Sequence, residues 1–78
     1  MYKPFISAGE LSMTNTVKME RSRINLSQQD LAEKVNVSRQ TIHSIESGKF
    51  MPSYILAVKI AKVFNMSPVE LFVLEDGD

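Results

Sequence analysis

Arg39 and Gln40 are adjacent, follow Ser38, and precede the apolar pair Ile42 and Ile45. A guanidinium can bond guanine O6 and N7 together, and a carboxamide can do the same with adenine N6 and N7, each pairing giving about 1 to 3 kcal/mol of base discrimination. The two side chains therefore have the chemistry to read base edges in a duplex. Ser44, one helical turn beyond Gln40, shares its face. Its short hydroxyl suits a water-mediated base contact or a close backbone approach. His43 sits at the edge of that face as a candidate phosphate contact. His43, Ser44 and Glu46 also carry the residue types of a hydrolytic triad. Residues i and i+1 on a helix do not face each other, however, and Gly48 stands alone rather than in an oxyanion-binding loop, so no catalytic residue is expected and the chain is not read as an enzyme.

Positioning such a face requires short, sharply ended helices. Ser27 is a good N-cap, and Asp30 at the third position can reach back toward it, which opens a helix over Gln28 to Val35 with Leu31, Ala32 and Val35 buried. Ser38 caps the next helix, which carries Arg39 and Gln40 and ends near Ser47, where Gly48 supplies a left-handed exit and Pro52 forbids continuation. The link between the two is only Asn36, Val37 and Ser38. Val37 can tuck beneath both helices, and Ala32 is small enough to let them cross closely. Upstream, Met13, Val17 and Ile24 follow helical spacing and predict a first helix from about Met13 to Ile24. Downstream, Ser53 caps a helix over Tyr54 to Phe64 with Leu56, Ile60, Ala61 and Phe64 inward. Ser67 and Pro68 open a short fifth through Leu71 and Phe72. Asn25, Asn36 and Asn65 each follow an apolar helical run, and asparagine tolerates left-handed backbone better than any residue but glycine.

The expected architecture is all-α, a bundle of five short helices without strands. Residues 1–12 read as an N-terminal arm, 13–74 as the domain and 75–78 as a frayed acidic tail. Seventy-eight residues allow one small domain, and the absence of cysteine leaves the core alone to hold it. One histidine and no thiol exclude the usual structural metal sites, so neither metal nor cofactor is expected. No apolar run approaches the roughly 20 residues that span a bilayer, which reads as a cytoplasmic protein without membrane partners. Nine basic residues balance nine acidic ones. From Thr16 to Lys49, however, Lys18, Arg21, Arg23, Lys34, Arg39 and Lys49 outnumber Glu20, Asp30, Glu33 and Glu46. From Phe50 onward, Lys59 and Lys62 face Glu70, Glu75, Asp76 and Asp78. Positive charge thus gathers around the candidate reading face.

The run from Leu26 to Lys49, followed by Pro52-Ser53 and the stripe from Leu56 to Phe64, resembles the phage-repressor type of helix-turn-helix domain, the lambda Cro and repressor or Xre family. The likeness covers about residues 14–72. It implies that Gln28 bonds a DNA phosphate, that Ser38, Arg39 and Gln40 meet phosphate and base edges, that Ser44 extends the same face, and that Lys49 contacts phosphate. It also implies a salt bridge between Arg21 and Glu46. Ser47 occupies a contact position where a longer asparagine is common. The three asparagines stand where glycine is usual.

The expected function is a sequence-specific double-stranded DNA-binding transcriptional regulator, a repressor, reading the major groove with its third helix. One such unit reads few base pairs, so a homodimer on a pseudo-palindromic operator is expected, with half-sites about 34 to 36 Å apart. Val73 and Leu74, left over after Leu71 and Phe72 fill the core, are the expected dimer contacts. The rival from another class is a protein-interaction module or antitoxin-type regulator on the same fold, whose partner is a protein.

Overall fold

The computed structural model describes residues 11–76. Residues 1–10 of the expected arm, and Gly77 and Asp78 of the expected tail, lie outside them. In chain order the elements are β1 (Leu11–Asn15), α1 (Val17–Arg23), α2 (Gln28–Val35), α3 (Arg39–Glu46), α4 (Tyr54–Val63), α5 (Pro68–Leu71) and β2 (Phe72–Asp76). The five expected helices are present.

The strands correct three expectations. The chain was read as strandless, the first helix as starting at Met13, and Glu75 and Asp76 as part of a frayed tail. Instead β1 pairs antiparallel with β2, in a register that sets Leu11 opposite Asp76 and Asn15 opposite Phe72. Met13 and Val17 have helical spacing, yet cross-strand pairing with a segment about sixty residues away overrides that local pattern. Asn15 then makes the transition sharp. Its Oδ1 accepts from the Val17 N–H at 3.1 Å, satisfying the first free N–H of α1, while its Nδ2 donates to the Ile45 carbonyl at 3.0 Å, tying the ribbon to the end of α3.

The helices start and stop for the reasons their sequences suggest. Ser27 Oγ accepts from the Asp30 N–H at 2.9 Å and the Ser27 N–H donates to Asp30 Oδ2 at 3.0 Å, a reciprocal capping box. Ser38 and Ser53 cap α3 and α4 by accepting from the N–H of Thr41 and Leu56. Asn25, Asn36 and Asn65 have φ of 59°, 62° and 58°, and Gly48 has φ of 80°. In each case the next residue's N–H reaches a carbonyl five positions back: Leu26 to Arg21, Val37 to Ala32, Lys49 to Ser44 and Met66 to Ala61. Four helix exits thus share one hydrogen-bond pattern, which left-handed backbone makes possible.

The core sits where α2, α3 and α4 meet. Leu31, Ala32, Ile42, Ile45, Ile60 and Ala61 are completely buried, joined by Val17 from α1 and Leu71 from α5. Each large side chain contributes about 1.5 to 3 kcal/mol by leaving water. Val37 packs partly buried against this cluster from the turn, and Ala32 has no exposed surface, as the close crossing of α2 and α3 demands. Leu56, expected on the inward stripe, packs half-buried against the core.

Candidate nucleic-acid interface

Ile42 and Ile45 bury one face of α3, so the helix must present the opposite face outward. Arg39, Gln40 and His43 are exposed there and Ser44 is half-buried. Ser38 uses its hydroxyl as a cap and shares a 2.9 Å hydrogen bond with the Thr41 hydroxyl. At the far end Ser47 donates its hydroxyl to the Ser44 carbonyl at 3.2 Å. Lys49 is exposed just past Gly48, on a turn pinned by its own N–H.

Gln28 is the first residue of α2 and joins this surface to the interior. Its Nε2 donates to Glu46 Oε1 at 3.1 Å, and its Oε1 accepts from Arg39 Nη1 at 3.4 Å. The carboxylate can only accept, so the amide must turn its nitrogen toward Glu46 and its oxygen toward Arg39. Behind Gln28, Arg21 Nε and Nη2 donate to Glu46 Oε2 and Oε1 at 2.8 and 3.1 Å, and Arg21 Nη1 donates to the Leu26 carbonyl at 2.9 Å. This is the α1–α3 salt bridge that the family resemblance implies. Its side chains are only 12% and 6% exposed, so it works in low dielectric as a bidentate pair. The carboxylate hydrogen-bonded to Arg21 raises the guanidinium pKa above its ordinary value, against the opposing cost of burial. A hydrogen-bond relay therefore runs Arg21, Glu46, Gln28, Arg39, from helix packing to the exposed candidate Arg39.

Beside the relay, Lys18, Gln28, His43, Glu46 and Ser47 line an open cavity of about 180 Å³. Gln28, His43 and Ser47 are expected interface residues, and the fold gathers them from two helices. Arg39 joins them through Gln28, whereas Gln40 and Ser44 on α3 and the exposed Lys49 beyond its end do not line the cavity. Lys18 was not among the expected contacts. Spacing held a signal for it, because Lys18 lies one turn before Arg21 on the same face of α1, as His43 precedes Glu46 on α3.

A family model described as Helix-turn-helix matches residues 17–71. The chain belongs to this family, in its phage-repressor-like, Xre-type form. An uncharacterized HTH-type transcriptional regulator of Methanocaldococcus jannaschii is 50% identical over 66 residues, covering 85% of this chain and all of that one. The Bacillus subtilis regulator YgzD is 47% identical over 64 residues, covering 82% of this chain and 97% of its own length. Among solved structures, the restriction-modification controller protein C.AhdI from Aeromonas hydrophila superposes with a TM-score of 0.64 at 26% identity, covering 69% of this chain and 82% of the other.

Proposed function

We propose that this protein is a sequence-specific double-stranded DNA-binding transcriptional regulator that lays α3 in the major groove with α2 across the backbone. The observation that carries the reading is the exposed pair Arg39 and Gln40 on the first turn of α3, with Arg39 held by Gln28 at the start of α2. Arg39 offers only donors and so favours guanine, while Gln40 can satisfy adenine. Gln28, Ser38, His43, Ser47 and Lys49 serve the phosphates around them, and Ser44 lets the helix approach the bases closely. The relatives' naming as HTH-type transcriptional regulators supports the same reading. Repression asks nothing more of this fold than occupancy of DNA that polymerase needs. No cofactor enters the mechanism, since every group it uses is a side chain of the protein.

The proposed active form is a homodimer on a pseudo-palindromic operator. Val69 on α5 and Val73 on β2 are 80% and 47% exposed, which supports a partner surface at the C-terminal end of the domain. The experiment is selection of bound duplexes from random DNA, followed by substitution. Arg39→Ala and Gln40→Ala should each lose about 1 to 3 kcal/mol on the selected site while non-specific affinity barely changes. Equal loss on every sequence would reduce both residues to backbone contacts.

A further inference from the structure

We propose that the nearly buried Glu46 sets the strength of base preference at Arg39 by fixing which way the Gln28 amide points; the inference rests on the DNA-binding reading above. The amide sits between two groups that leave it no choice. Glu46 Oε1 can only accept, and it takes Arg21 Nη2 at 3.1 Å and Gln28 Nε2 at 3.1 Å. The Arg39 guanidinium can only donate, and its Nη1 meets Gln28 Oε1 at 3.4 Å. Turning the amide over would set oxygen against oxygen on one side and N–H against N–H on the other. Only one orientation satisfies both neighbours, and the carboxylate enforces it.

The carboxylate is itself held still. Arg21 Nε donates to Glu46 Oε2 at 2.8 Å, and with side-chain exposures of 12% and 6% the pair has little room to rearrange. Gln28, half-buried at the start of α2, passes that fixed geometry to the exposed Arg39. Of the five N–H groups of Arg39 one is engaged by Gln28, and the rest suffice for the paired contact with guanine O6 and N7. A long side chain held in place beforehand loses less freedom when it meets a base. Without the carboxylate the amide can turn its N–H toward Arg39, which then has nothing to hold it. Glu46 is therefore a positioning residue for Arg39 and makes no base contact of its own.

The test reads base preference position by position on the selected duplex. The position whose preference Arg39→Ala removes belongs to Arg39, and the one that Gln40→Ala removes is the internal control. Gln28→Ala, Glu46→Gln and the paired variant Arg21→Met with Glu46→Leu are compared with wild type, each at a temperature where circular dichroism shows it folded. The paired variant strands no charge, so it keeps the measurement possible if Glu46→Gln unfolds. All three should lower the preference at the Arg39 position about two- to twelvefold, the ordering cost of one long side chain at an interface, and leave the Gln40 position alone. Adding Gln28→Ala to the paired variant should cost no more than Gln28→Ala alone, because both act through one chain of hydrogen bonds. A folded paired variant with wild-type preference at the Arg39 position overturns the proposal. An equal fall at both positions, the mark of a generally loosened α3, overturns it as well, and so do additive losses. If Arg39→Ala changes the preference at no position, the base-reading account itself falls.

Discussion

Glu46 joins Arg21 of α1 to Gln28, and through Gln28 to the candidate Arg39. With side-chain exposures of 6% for Glu46 and 12% for Arg21, removing either partner strands the other's charge in a poorly solvated place. Glu46→Ala should therefore cost about 3 to 5 kcal/mol in denaturant unfolding, whereas the double variant Arg21→Met with Glu46→Leu should cost markedly less, since no charge remains unpaired. Equal losses would mean that the pair contributes by packing rather than charge. At this scale much of the candidate site was legible. Arg39 and Gln40 announce themselves by chemistry, and Arg21 with Glu46 by the family's pattern. The relay through Gln28 was not legible, because a hydrogen bond between residues 28 and 46 depends on the angle at which α2 crosses α3. Asn15 escaped for the same reason, its amide reaching a carbonyl thirty residues away.

The elements divide by how local their causes are. α2 runs from Gln28 to Val35 as its cap and apolar stripe require, and the left-handed exits at Asn25, Asn36 and Asn65 follow from a single residue's backbone tolerance. The ribbon has no such local cause. β1 becomes a strand only because β2 comes beside it, so helical spacing at Met13 and Val17 misleads. The capping box of α2 offers a test with a definite sign. Hydrogen bonds from the Ser27 backbone and then its hydroxyl hold the Asp30 carboxyl below its ordinary pKa. A pKa lower in the folded state means the stabilisation is complete above the unfolded value of about 3.9 and is lost as pH falls through the folded one. Asp30→Asn should melt below wild type at neutral pH, with the gap closing as pH drops below about 4. A gap that stays constant down to pH 2 would show that the charge contributes nothing.

At the scale of the whole molecule, the proposed homodimer has to set the spacing of its two α3 helices. Val73 and Leu74 were expected as dimer contacts left over beyond the fifth helix, and they lie in β2, with Leu74 opposite Met13 in the register. Val73 remains half-exposed beside Val69. Replacing Val69 and Val73 with lysine should give a folded monomer in sedimentation that binds a palindromic site weakly and ignores half-site spacing. If that variant stays dimeric while Tyr54→Lys with Ile55→Lys does not, the interface belongs to the start of α4, where those side chains are 77% and 68% exposed. The central claim, recognition of duplex sequence by α3, is tested most directly by one titration. Wild-type affinity is measured on a selected palindromic duplex and on a scrambled duplex of the same composition, each across a range of salt. The account predicts that binding to both weakens steeply with salt and that the selected duplex is held about 10³-fold or more tighter at every point. Affinity that ignores salt, or that is equal for the two duplexes, would contradict it.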